Sequence, residues 1–165
     1  MASEEIFLTE KAIQDFFIES PSFFYSVLTN SSNRQWIEKF LLLPHKREEA
    51  KYSWSKLISS NTALVWTEEF IGRYLDDWDW SALSKNTKLP WSDSFIHKYA
   101  TKWDWKELSG NAGIPFCEEM IEKYSVKWTW NTLLANDRVA LSGDFIFRHF
   151  DRMPEYFYSA DWPED

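Results

Sequence analysis

At 165 residues the chain is long enough for one domain, or one short repeat array, with a substantial buried core. Its hydrophobic content of 44% fits a folded chain, and an aromatic share of 19%, with 11 tryptophans and 13 phenylalanines, gives rings much of the packing. A formal net charge of -8 disfavours sequence-independent binding to nucleic acid or to an anionic membrane, both of which rest on clustered Lys and Arg.

Other classes fall away as quickly. Cys117 is the single cysteine, so no intrachain disulfide can form. No apolar run approaches the about 18 residues of a membrane span, and Glu4 and Glu5 stand where a signal peptide would carry positive charge. A cytoplasmic location is the expectation.

Taken along the chain, the first elements are faint copies of a pattern that sharpens later. Leu8, Thr9, Ile13 and Phe16 suit a staple, a cap and an apolar face, and Phe24, Val27 and Asn30 suit a shorter helix behind them. Asn33, Trp36, Ile37, Lys39 and Phe40 open a second copy, which resumes at Ser53, Trp54 and Leu57 and closes at Asn61. Between its halves lies an insertion, 41–52. Leu41-Leu42-Leu43 should lengthen the helix that begins at Asn33, Pro44 should end it, and His45, Lys46 and Arg47 lie on a charged, helix-prone projection.

From residue 64 the pattern is explicit. Val65-Trp66-Thr67-Glu68-Glu69-Phe70-Ile71 is followed by Pro90-Trp91-Ser92-Asp93-Ser94-Phe95-Ile96 and by Pro115-Phe116-Cys117-Glu118-Glu119-Met120-Ile121, at a period of 25 residues. Each runs into Trp78-Asp79-Trp80, Trp103-Asp104-Trp105 or Trp128-Thr129-Trp130. A fixed period of this size is the mark of a repeat array whose neighbouring units complete each other's core.

Every position in the unit has a physical reading. Thr67, Ser92 and Ser142 are N-caps, whose hydroxyls can accept from first-turn amides; Cys117 in the same position caps poorly. Trp66 with Ile71, Trp91 with Ile96, Phe116 with Ile121 and Leu141 with Ile146 stand at the two sites of a hydrophobic staple. Phe70, Ile71, Tyr74 and Trp78 form one apolar stripe of a short helix. Lys39, Arg73, Lys98, Lys123 and Arg148 come near the helix ends, where the dipole favours a cation. Asp79, Asp104 and Thr129 read as caps of a second helix, with Leu83, Leu108 and Leu133 facing the core. Asn86, Asn111 and Asn136 read as stops, because Asn tolerates a left-handed backbone. A final unit opens with Phe145, Ile146 and His149 and decays after Met153.

Leu89-Pro90-Trp91-Ser92, with Phe95-Ile96-His97-Lys98-Tyr99 and Trp103-Asp104-Trp105-Lys106-Glu107-Leu108-Ser109-Gly110-Asn111, resembles a tryptophan-rich tandem repeat of bacterial and large-virus proteins. The resemblance is strong over 64–136 and implies a short-helix solenoid. It brings no catalytic residues with it.

The expectation is an all-α fold: short-helix tandem repeats of about 25 residues, stacked as a compact α-solenoid. One repeat domain covers 1–165, with degenerate units at 6–61, regular units at 64–136 and a C-terminal capping unit at 139–165. His45, His97 and His149 lack zinc-ligand spacing, and no cofactor motif is present. The function expected is non-catalytic binding of another protein, as a small inhibitor, immunity or anti-defence protein. Partner-contact candidates are matched positions that vary between copies: Gly72, His97, Glu122 and Phe147 in one column, and Leu75, Ala100, Ser125 and Phe150 in another. The insertion adds His45, Lys46 and Arg47. Two alternatives stand beside this reading: a nucleic-acid or phosphate binder using the Lys/Arg column, and a hydrolase with convergent carboxylates from Asp76, Asp77 and Asp79 or from Glu118, Glu119 and Glu122.

Overall fold

A computed structural model describes residues 21–42 and 51–153, with side chains from 26 and from 54 in the two stretches. Leu8, Thr9, Ile13 and Phe16, the projection bearing His45, Lys46 and Arg47, and the chain after Met153 lie outside the described residues. Among the described residues the structure is all helical, with ten α-helices and no strand. Contacts divide it into two compact units, one ending at Asp79 and the other beginning at Trp80.

The first unit contains α1 (Pro21–Asn30), α2 (Arg34–Leu41), α3 (Lys51–Ser59) and α4 (Glu68–Arg73). Asn33 caps α2 as expected, its Oδ1 accepting the Trp36 amide at 3.0 Å. That helix runs through the buried Leu41 and stops there, with Leu42 its C-cap and 70% exposed, while Leu43 and Pro44 lie outside the described residues. Leu28, Ile37, Phe40, Trp54 and Ile58 are buried, with Phe40 and Trp54 edge to face at 5.7 Å. Arg34 lies over the Phe70 ring and pairs with Glu38, tying α2 to α4.

The second unit contains α5 (Trp80–Lys85), α6 (Asp93–Lys98), α7 (Trp105–Ser109), α8 (Glu118–Lys123), α9 (Trp130–Leu134) and α10 (Gly143–Arg148), with a 3-10 turn at Phe150–Arg152. Helices of five or six residues have too few internal hydrogen bonds to stand alone, so packing and side-chain ties hold them. Thr67, Ser92 and Ser142 accept the amides of Phe70, Phe95 and Phe145 at 3.1–3.2 Å, whereas Cys117 makes no cap bond.

The apolar stripe is also buried, but not as one helix. Each first helix ends before the tyrosine: Tyr74, Tyr99 and Tyr124 are C-caps, and the chain turns back to bring in Trp78, Trp103 and Trp128. Those three indoles donate to the carbonyls of Ile71, Ile96 and Ile121 at 2.9–3.1 Å, so the ring satisfies a helix end that the short helix leaves open.

Two kinds of repeated position act otherwise than expected. The asparagines are not left-handed stops, since no described residue has positive φ. They are buried clamps. Asn111 Nδ2 donates to Ser84 O at 2.7 Å and Asn86 O at 3.3 Å, while its Oδ1 accepts the Gly113 amide at 2.7 Å. Asn136 repeats this with Ser109 O and the Arg138 amide, and Asn61 with Leu28 O, Ser31 O and its own loop. Thr129 makes no cap bond, although Asp104 accepts the Glu107 amide at 3.2 Å. What the two share is a backbone amide held at 3.0 Å by a buried serine one unit earlier, Ser84 for Asp104 and Ser109 for Thr129. Ser59 holds Asp79 in the same way. These serines also turn their own hydroxyl proton inward, Ser84 to Trp80 O and Ser109 to Trp105 O.

Candidate functional site

The tryptophans belong to the scaffold. Trp66, Trp78, Trp103 and Trp128 are 5–6% exposed. The second indole of one element meets the first of the next edge to face: Trp80 with Trp103 at 4.9 Å and Trp105 with Trp128 at 4.8 Å. Edge-to-face geometry sets the positive rim of one ring against the negative face of the other. Lys102 and Lys127 sit over Trp80 and Trp105, so the half-buried rings are also covered by cations.

The cation column does not form a bare ladder. Arg73 pairs with Glu69 and Glu38, Lys123 with Asp93 at 2.7 Å, and Arg148 with Glu122 at 3.6 Å. Asp93 holds Lys123 above the usual lysine range. At the opposite seam of the same copy Glu118 accepts the Ser142 amide, and that bond lowers its pKa below 4.5. The lowering of Glu119 comes first from its own backbone amide and then from Cys117.

The variable columns separate. His97, Glu122 and Phe147 are exposed at matched positions of α6, α8 and α10, with Phe147 at 82%. Glu122 is already engaged, hydrogen-bonding His149 Nε2 at 2.7 Å. His149 takes the position of the buried tyrosines, stacks near Trp130 and Phe145, and is 8% exposed. The Tyr99 and Tyr124 hydroxyls are buried with no hydrogen-bond partner, and burial raises the Tyr124 phenol. Ser125 serves the fold through its carbonyl, which receives Trp130 Nε1 at 3.1 Å and Arg152 Nη1 at 3.0 Å. Ala100 O receives Trp105 Nε1 likewise. Phe150 is 40% exposed.

In the first unit Gly72 and Leu75 line a cleft of about 480 Å3 with Trp54, Asp76 and Asp77. Among the described residues no group of three or more His, Cys, Asp or Glu could hold a metal ion, and no helix is long and apolar enough to cross a membrane.

A larger cleft, about 590 Å3, lies in the second unit, away from the columns at 72 and 75. It is lined by Thr87, Lys88, Gly113, Pro115, Phe116 and Arg138, among others. Lys88, Gly113 and Arg138 are the same position in three successive loops. The signal was therefore present in the sequence, because this column varies as freely as the other two. A Cβ on Gly113 would lie within 2.7 Å of the Thr87 Cα and closer still to its carbonyl oxygen, so the two loops meet as only glycine permits.

Fold and surface together define an all-α, aromatic-rich array of short-helix repeats. Compared with protein-family models, with curated proteins and with solved structures, the chain matches none.

Proposed function

We propose that this chain is a non-catalytic protein-binding repeat module, acting as a small inhibitor, immunity or anti-defence protein in a reducing, cytoplasmic setting. The observation that carries the reading is the division of labour between repeated and unrepeated positions. The repeated Trp, Ser and Asn residues are consumed in ties within and between units. The unrepeated His97 and Phe147 stand outward at matched positions of α6 and α10. An array built this way presents a surface that can change without disturbing its core. The exposed lone thiol of Cys117 suits a compartment that keeps cysteines reduced.

Pairing of Arg73, Lys123 and Arg148 with carboxylates weakens the alternative of a phosphate-tracking stripe. The test is affinity capture from the native source with mass spectrometry. A stoichiometric protein that stays bound at moderate salt is expected; repeated recovery of none would overturn the proposal.

A further inference from the structure

The cleft over Gly113 differs from the other loops in ways that converge. The two flanking copies of its position carry Lys88 and Arg138, so cations stand on either side of a residue with no side chain. Ala112 precedes that glycine where Thr87 and Asp137 stand in the neighbouring copies. Phe116 replaces the tryptophan of the two preceding copies. Trp66 and Trp91 donate their ring N–H to Asn61 O and Asn86 O, a bond that Phe116 cannot make. The third copy is thus pared back at the points where the cleft opens.

Its charge points to the same conclusion. Arg73, Lys85, Lys123 and Arg148 have carboxylate partners, but Lys88 and Arg138 have none among the described residues. In a chain of net charge -8, two cations without carboxylate partners, lining a cleft that Pro115 and Phe116 also line, are complementary to a ligand of the opposite kind. Nucleic acid would need a longer run of cations than these two.

Resting on the protein-binding reading above, we propose that this cleft docks an acidic segment of a partner protein. Lys88 and Arg138 receive the carboxylates, and one apolar side chain of the segment seats on Pro115 and Phe116. Docking of this kind draws specificity from the charges and affinity from the buried apolar anchor.

The test is selection from a displayed random-peptide library on the immobilised full chain. Acidic peptides with a central aromatic or aliphatic residue should be enriched. Their affinity should fall by about tenfold or more in Lys88→Glu/Arg138→Glu, as when opposite charges across an interface are made alike. Phe116→Trp, which puts a larger ring into the lining, should weaken them too. Lys106→Glu, an exposed lysine outside the cleft, should leave them unchanged, and unfolding midpoints would confirm that all variants are folded. No enrichment, enrichment of neutral or basic peptides, or equal loss in Lys106→Glu would overturn the proposal. So would labelled oligothymidylate binding with the same sensitivity to Lys88 and Arg138. A partner captured from the native source that ignores the double variant would sink the cleft while leaving the binding module standing; failure of both experiments would remove both.

Discussion

The repeat that opens at Trp91 and the one that opens at Phe116 have the same backbone plan but very different side-chain support. The Trp91 copy fills each slot: its indole donates to Asn86 O, Ser92 caps α6, Asp104 caps α7, and Ser109 holds the next element. The Phe116 copy has no indole there, an uncapped α8 at Cys117, an uncapped α9 at Thr129, and Leu134 where the serine should be. Yet α8 and α9 form, Ile121 and Leu133 are buried, and Trp128 still reaches Ile121 O. What persists in both copies is the buried apolar set and the asparagine clamp. Caps are helpful; clamps and core decide the fold.

That ranking predicts where the largest losses fall. Asn111→Leu keeps the branched shape but strands the Ser84 carbonyl and the Gly113 amide and leaves the Asn86 carbonyl with the Trp91 indole alone, at a cost of about 3 kcal/mol in urea unfolding. Asn136→Leu, at the sparser end of the array, strands the Ser109 carbonyl and the Arg138 amide, losing two bonds rather than three, and should cost about two-thirds as much. Equal losses would mean that the clamp does not scale with the groups it satisfies. Gly113→Ala comes next, at about 2 kcal/mol, because the new methyl meets backbone rather than a yielding side chain. A neutral Gly113→Ala would show that the loops separate freely.

Much of this plan is legible in the sequence. The 25-residue period, the caps at Thr67, Ser92 and Ser142, the failed cap at Cys117 and the burial of the aromatic stripe all follow from local chemistry. Two things are hidden there for one reason. The roles of Ser84 and Ser109, and of the asparagines, lie between units 20–27 residues apart, and a repeated residue gives the same signal whether it bonds within its copy or to the next. The end of the first helix at Arg73 is hidden differently. A helical stripe and a helix followed by a turn place the same apolar residues at the same spacing, so only the Trp78 indole bond to Ile71 O separates them. The Gly113 cleft is half legible: the variable column of Lys88, Gly113 and Arg138 can be read from the sequence, but the close approach of Thr87 that demands glycine there shows only in space.

The caps supply a smaller and opposite pair of effects. Ser92→Ala should cost about 1 kcal/mol, whereas Cys117→Ser should gain a few tenths to about 1 kcal/mol by giving α8 the hydroxyl that the other first helices possess. Thr129→Asp, which copies the cap of Asp104, should also stabilise, by less than about 1 kcal/mol. Thermal midpoints of the three variants at one pH would test the ordering. If Cys117→Ser does not gain, the Phe116 copy must be held in a backbone geometry that a hydroxyl cannot use.

The smallest expected effect is a pH dependence at the seams of the Phe116 copy. Glu118 has its carboxyl pKa lowered, first by the Ser142 amide, so its contribution is present above the unfolded value near 4.5 and fades as pH falls through the lower folded value. Lys123 is raised by Asp93, so its contribution is present below 10.5 and is lost only as pH climbs through the higher folded value. Only the Lys123 seam should therefore weaken in alkali. The midpoint difference between wild type and Glu118→Gln should shrink between neutral pH and about pH 3 and stay constant above neutrality, while the difference for Lys123→Met should shrink in strong alkali. Both pairs are exposed and screened by salt, so the differences should be small and should diminish further as ionic strength rises. A Glu118→Gln difference that grew on acidification would mean the carboxylate is not what holds Ser142.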